Sequence, residues 1–337
     1  MDDAKTCSVY WRVAACCISV LALLGLAFSG AASGEDEKIV VICTNSALAD
    51  FTTNLFGEEL GDAFEVEFIM PAGVCPSHFD TSPSDIVTIA SADVVVSLGW
   101  EPWLADLLDA SGNDDAHQIA CMGLGEWNIP SGAEAHLDTI AEGLSEFSPQ
   151  WADVFVANAE NYSAAIAASY EAARVQVETL GLNGTKVITV EWYSVFLTGL
   201  GFEVVASYGA PEGLSAGDVI ELSSKCDDPE VAMVVDNLQS TVDFGANLAA
   251  DFGKEHVVLS NFPGAVPGNY PYIDNMAYNV GELINAAVAY EDTQTEISEL
   301  ESEVSSLEFQ RLALISTSIA LAVLLVLSAV IARRRVR

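Results

Sequence analysis

The sequence predicts an α/β protein: two lobes of parallel sheet joined by one long rigid helix, followed by a helix that crosses a membrane. Three observations carry this. Short β-branched runs alternate with amphipathic segments over residues 39–122 and again over 186–260. Between the halves, residues 149–180 are rich in Ala, Glu and Val with no Gly and no Pro after the first position. Near the end, the 21 uncharged residues 312–332 are followed at once by Arg333, Arg334, Arg335 and Arg337.

Strands are expected at 39–43, 64–70, 94–98 and 118–122, with helices at 46–60, 83–92 and 102–110. Runs that are apolar throughout and alternate with helices indicate parallel strands covered on both faces. The segment 149–180 stops at Gly181 and reads as a single helix of about 45 Å. The alternation then resumes, with strands at 186–190, 203–207, 231–236 and 256–260 and helices at 215–225, 241–252 and 272–290. Each half is thus Rossmann-like, giving a lobe over 36–148, a linking helix over 149–181 and a second lobe over 182–290. Ligands of open parallel sheets bind beyond the carboxyl ends of the strands.

The two ends set the topology. Residues 312–332 are long enough to span about 30 Å of hydrocarbon, and the arginines after them put the tail 333–337 on the cytoplasmic side. At the other end Arg12 precedes an apolar stretch, 13–28, and then the string Ser29-Gly30-Ala31-Ala32-Ser33-Gly34. That is the order of a secretory signal peptide over 1–33, cut near Ala32. Val13-Ala14-Ala15-Cys16 has the form of a lipoprotein box, but it precedes the apolar segment instead of following it. Everything between is expected outside, tethered to the cell membrane. Within 291–311, Ile297, Leu300, Val304 and Leu307 recur at 3-4-3 spacing, as in a short helical stalk.

Half of the residues are hydrophobic, enough for a real core. Between Glu35 and Gln310 only five bases stand against 47 acids, a net charge of −42. Such a surface repels nucleic acid and anionic headgroups, tolerates high salt and gathers cations. Of seven cysteines, Cys7, Cys16 and Cys17 belong to the leader; Cys43, Cys75, Cys121 and Cys226 form no CxxC unit. A zinc ribbon is excluded, leaving free thiols or one disulfide. Neither GxGxxG nor GxxxxGK[ST] occurs, so a nucleotide cofactor is unsupported. Gly213-Leu214-Ser215-Ala216-Gly217 matches GxSxG, with Asp236 and His256 following in hydrolase order. It follows a turn instead of leaving a strand, and Ser215 reads better as the N-cap of a helix bearing Val219, Ile220 and Leu222. An enzyme is not expected, nor any catalytic cofactor.

The strand ends should bring Thr44-Asn45, the loop 71–79, Trp100-Glu101 and Gly125-Glu126-Trp127 to a cleft from the first lobe. The second lobe should supply Glu191-Trp192-Tyr193, Tyr208, Asp236-Asn237 with Gln239, and Asn261-Phe262-Pro263-Gly264. Val41-Ile42-Cys43-Thr44-Asn45-Ser46-Ala47-Leu48-Ala49-Asp50 resembles the opening strand and helix of the zinc- and manganese-type receptors of ABC importers. So do Pro71-Ala72-Gly73-Val74-Cys75-Pro76-Ser77-His78, Pro83-Ser84-Asp85, and Ala92-Asp93-Val94-Val95-Val96-Ser97-Leu98-Gly99 followed by Glu101 and Trp103. Segments 125–130 and 261–268 are similar to an archaeal branch of that family. The resemblance spans 39–290. It implies a solute-binding receptor with a permease and an ATPase as partners, two lobes that move little, and zinc, manganese or iron as the transported ligand.

The departures bear on the ligands. The family places its first metal histidine directly after the loop proline, where this chain has Ser77 and then His78. It places a second histidine soon after the fourth strand, where this chain has Gly125-Glu126-Trp127-Asn128-Ile129-Pro130. Position 190 or 191 matches the third ligand, and Asp236 and Asn261 stand near its acidic positions. The candidate metal ligands are therefore His78 and Cys75 from the first lobe, with Glu191 and Asp236 from the second. Imidazole, thiolate and carboxylate together suit zinc or another borderline metal. Alternatively His78 bonds its own loop, and Glu191 or Asp236 serves a helix start. His117 and His136 are expected on the surface. A receptor for a metal chelate or other small ligand is the second possibility, since Trp100, Trp127 and Trp192 can line the cleft. A surface adhesion protein on the same fold is the third.

Overall fold

The two apolar alternations fold into two four-stranded sheets with every strand parallel. The computed structural model describes residues 38–335 apart from Leu124 and Thr241. The expected signal peptide, its three cysteines and Arg337 lie outside the described residues. In the first lobe β1 (Ile39–Cys43), β2 (Phe64–Phe68), β3 (Val94–Ser97) and β4 (His117–Ala120) lie in the order β2-β1-β3-β4. In the second, β5 (Lys186–Val190), β6 (Glu203–Tyr208), β7 (Val231–Asn237) and β8 (Glu255–Leu259) repeat that order as β6-β5-β7-β8.

Helices cover both faces of each sheet: α1 (Ser46–Leu60), α2 (Pro83–Ala90), α3 (Leu104–Ser111) and α4 (Pro130–Phe147) in the first lobe, and α6 (Ser194–Leu200), α7 (Ala216–Cys226) and α8 (Asp243–Phe252) in the second. β1 shows why its run is apolar throughout. Val41 and Cys43 face Phe51, Leu137 and Phe155, whereas Ile42 faces Ile89, Trp103 and Leu107 on the other side. Helix starts follow local chemistry. Asn45 accepts from the backbone of Ala47 and Leu48, and Ser82 with Asp85 forms a capping box before Pro83.

α4 was not among the expected helices, yet its buried stripe Ala133, His136, Leu137, Ile140, Ala141 and Leu144 has helical spacing. His136, expected on the surface, is therefore buried, because it falls within that stripe. The linking helix also starts later than expected. Pro149–Trp151 forms a 3-10 turn, and the continuous helix is α5 (Ala152–Thr179), 28 residues and about 42 Å long. It gives Phe155, Ala159 and Ile166 to the first core, and Val177 enters the second. α1 breaks at Gly57, whose φ of 56° suits a residue without Cβ. Asn158 of α5 donates to the Leu55 carbonyl beside that break.

The last helix, α9 (Tyr272–Arg335), runs unbroken for 64 residues, about 96 Å. Tyr272 packs into the first core, and Met276, Val280, Leu283, Ala287 and Tyr290 pack into the second. α9 is thus a second tie between the lobes beside α5. Beyond Tyr290 it leaves the protein body. Ile297, Leu300, Val304 and Leu307 are exposed, as are the apolar residues after Leu312. The helix is long and apolar enough to cross a membrane.

Candidate functional site

The carboxyl ends of both sheets face one another across a cavity of about 630 Å³. The loop after β2 supplies Cys75, Pro76 and His78; Trp100 and Trp127 follow β3 and β4. Opposite them, Glu191 and Trp192 follow β5, Glu212 follows β6, Asn237 and Gln239 end and follow β7, and Asn261 follows β8.

Buried hydrogen bonds hold these loops. Glu101 accepts from the Thr44 hydroxyl (2.6 Å), the Leu98 amide (2.8 Å) and the Trp100 amide (3.2 Å), so it braces the first lobe from behind. Trp103 Nε1 donates to the Pro76 carbonyl at 2.8 Å, fixing the histidine loop. The floor is a chain of amides. Gln239 Nε2 donates across the lobes to the Ala72 carbonyl (2.7 Å) and to Ser260 Oγ (3.0 Å), and its Oε1 accepts from Asn237 Nδ2 and the Asn261 amide. Asn128 Nδ2 reaches Asn261 Oδ1 at 2.9 Å, and Trp127 Nε1 reaches the Asn261 carbonyl at 3.2 Å. Trp127 also stacks on Phe262, with centroids 5.9 Å apart. Four of these contacts cross between the lobes, from Gln239 to Ala72, from Asn128 and Trp127 to Asn261, and from Trp127 to Phe262, and they fix the cleft's geometry.

The expected ligands separate into two groups. Cys75, His78 and Glu191 all line the cleft. His78 Nε2 lies 3.9 Å from Glu212 Oε1 of the other lobe, with both side chains exposed. Glu191 opens a 3-10 turn directly after β5, across from Gly209. Asp236 is elsewhere. It is fully buried, accepts from Tyr208 Oη (2.5 Å) and bonds His256 Nε2 (2.8 Å). Gly245 of α8 makes room for it, since a Cβ there would lie 2.0 Å from Asp236 Oδ2. Successive strand residues point to opposite faces, so Asn237 meets the cleft and Asp236 meets the helix. Tyr208 is buried with it, and burial and the neighbouring carboxylate push its hydroxyl well above the usual range.

Glu212 also lines the cleft, a place that the sequence reading did not give it. The signal for it is its place just past a strand's carboxyl end. Among the described residues, no three His, Cys, Asp or Glu side chains converge into a ready-made metal cage. All four described cysteines are free, and burial pushes the Cys43 thiol up to about 12. Cys75 alone of them is partly exposed. Ser215 caps α7, accepting from the Asp218 amide while Asp218 accepts from Ser215, so the GxSxG match is a helix start.

The family model for the zinc-uptake complex component A, periplasmic, matches residues 41–286. The chain belongs to this family. The manganese-binding lipoprotein MntA of Halalkalibacterium halodurans is 27% identical over 298 residues, covering 80% of this chain and 96% of MntA. The iron transporter substrate-binding lipoprotein MtsA of Streptococcus pyogenes serotype M1 is 30% identical over 78 residues, 23% of this chain and 24% of MtsA. A ZnuA crystal structure superposes with a TM-score of 0.61 at 18% identity, covering 74% of this chain and all of the other. The Mn-bound periplasmic metal-binding protein of Candidatus Liberibacter asiaticus also gives 0.61, at 15% identity and the same coverage. As a zinc-uptake component A relative, the chain is a substrate-binding receptor of the metal ABC importer class.

Proposed function

We propose that the chain is the membrane-tethered extracellular receptor of an ABC importer and that it captures a divalent transition-metal ion in the inter-lobe cleft. The observation that supports this most is the meeting of Cys75, His78 and Glu191 in one cavity at the facing strand ends. Thiolate, imidazole and carboxylate are the donor types that zinc and its borderline neighbours accept. Glu212, beside His78, is a fourth donor within reach of a side-chain rotation. Asp236 has no part in this set. The acidic surface raises the local cation concentration around the cleft.

The tether is residues 312–332, with the preceding helical turns of α9 as a spacer. A permease and its ATPase take the cargo onward, as in the importers to which the relatives' names refer. Calorimetric titration of zinc and of manganese into the full chain tests the proposal. One site per chain is expected, weakened at least roughly tenfold by His78→Ala, about 1.4 kcal/mol. Unchanged affinity in that variant would place the site elsewhere.

A further inference from the structure

The two lobes are joined unequally around the cleft. On the side of β4 and β8 they are sealed. Asn128 and Trp127 donate to Asn261, Trp127 stacks on Phe262, and Ser46 Oγ donates to the Pro263 carbonyl at 2.7 Å. Gly125 lies so close to Trp192 that a Cβ on it would stand 3.0 Å from the tryptophan's own Cβ. On the opposite side, at the edge strands β2 and β6, the loops after the strands meet at their tips. There His78 Nε2 and Glu212 Oε1 are 3.9 Å apart, with side chains 68% and 57% exposed. A pair that exposed holds little by itself.

The two tips are built alike. After β2 comes the 3-10 turn Pro76–His78, and a capping box of Ser82 and Asp85 then opens α2. After β6 comes the 3-10 turn Pro211–Gly213, and a capping box of Ser215 and Asp218 then opens α7. Glu212 thus sits in the turn of the second lobe that corresponds to the turn of His78 in the first. The tips differ in how they are tied. Trp103 holds the first, donating to the Pro76 carbonyl and packing edge-on against Phe79. In residues 209–214 the hydrogen bonds among the described residues stay inside the turn, from the Gly213 amide to Ala210 and from the Leu214 amide to Pro211. Gly209, at the root of this lip, adjoins Glu191, whose Oε1 would be 3.7 Å from a Cβ there.

A single ion closes the gap between the tips. Zinc bonds an imidazole nitrogen and a carboxylate oxygen at about 2.0–2.2 Å, which in tetrahedral geometry sets the two atoms about 3.4 Å apart. The separation here exceeds that by about half an ångström, within reach of a rotation of either exposed side chain. We infer that Glu212 is a ligand of the incoming ion at the mouth of the cleft, sharing it with His78, and that this bridge fastens the lip 209–214 across the opening. The inference rests on the metal-receptor function proposed above and adds a residue and a movement to it.

Hydrogen–deuterium exchange of the full chain in detergent micelles, with zinc chloride as the probe, tests it, since the Gly213 and Leu214 amides report on the lip. Native mass spectrometry of the same samples counts the bound zinc. With zinc bound, exchange over 209–214 should slow at least fivefold in the parent, while exchange over 261–264 changes less than twofold. Glu212→Ala should bind zinc at least fivefold more weakly and, once loaded at higher zinc, show no slowing of the lip. Glu221→Ala, which removes an exposed acid of α7 outside the cleft, should keep both. Unslowed exchange in a zinc-loaded parent, slowing that survives in Glu212→Ala, or equal losses in Glu221→Ala would overturn the inference and leave the metal receptor standing. A parent that takes up no zinc would overturn the receptor itself.

Discussion

Asp236 and His78 show how residue chemistry and residue position part company. Both are of ligand type and both lie near strand ends, yet only His78 reaches the cleft. The side chains of a strand alternate faces, so a one-residue uncertainty in where β7 stops exchanges Asp236 with Asn237. Sequence alone settles the strand but not that last alternation. His136 was hidden differently: the helix that buries it went unrecognised, although Ala133, Leu137, Ile140 and Leu144 mark its apolar stripe. Asp236 has a structural duty. Buried and bonded to His256 and Tyr208, its carboxylate loses one of two partners in His256→Ala. Leaving a buried charge under-compensated costs about 3 kcal/mol, so chemical denaturation should report a loss of that order. Zinc affinity should stay within twofold of the parent. A tenfold loss of zinc affinity with the fold intact would return this cluster to the binding site.

At the scale of elements, a buried carboxyl joins three helices. Asp50 of α1 accepts from Tyr162 of α5 at 2.5 Å, and the start of α9 packs beside it at Tyr272. Burial raises its pKa from 3.8 to about 6, against the opposing hydrogen bonds from Tyr162 and the Tyr272 backbone. The folded state therefore holds this proton more tightly than the unfolded chain does. Its contribution is fully present below about pH 4 and is lost as pH rises through 6, a change of about 3 kcal/mol. Asp50→Asn keeps an acceptor for Tyr162 and removes the ionisation. It should be more stable than the parent by about 2 kcal/mol at pH 7.5, with little difference at pH 4. Equal differences in unfolding midpoint at both values would show that Asp50 does not titrate in this way. None of this junction was legible beforehand, because it depends on which faces of three distant helices meet. The strands were legible to within two residues, since a doubly covered parallel strand carries its own apolar signature.

The whole molecule combines two lobes with two helical ties. α5 places Phe155 and Val177 in different cores, and α9 does the same with Tyr272 and Leu283. Large closure would have to break both packings, whereas a small rocking about them keeps the backbone ladder of each helix. The same α9 carries the protein body away from residues 312–332 by about 30 Å, at 1.5 Å per residue over 291–311. MntA and MtsA are named lipoproteins; in this chain the apolar end of α9 serves as the anchor in the proposed topology. Protease added to intact cells should then cut the exposed stretch between Tyr290 and Leu312 and release a soluble two-lobed fragment. Recovery of the intact chain in the cytosolic fraction would contradict that topology.

The central claim, a metal held between the lobes, is tested most directly by anomalous diffraction from crystals of the chain soaked in zinc, at the zinc absorption edge. One strong peak is predicted in the cleft, about 2.0–2.3 Å from donor atoms of Cys75, His78 and Glu191. A peak at His117 or at the His256–Asp236 pair with none in the cleft, or no peak at all, would contradict it.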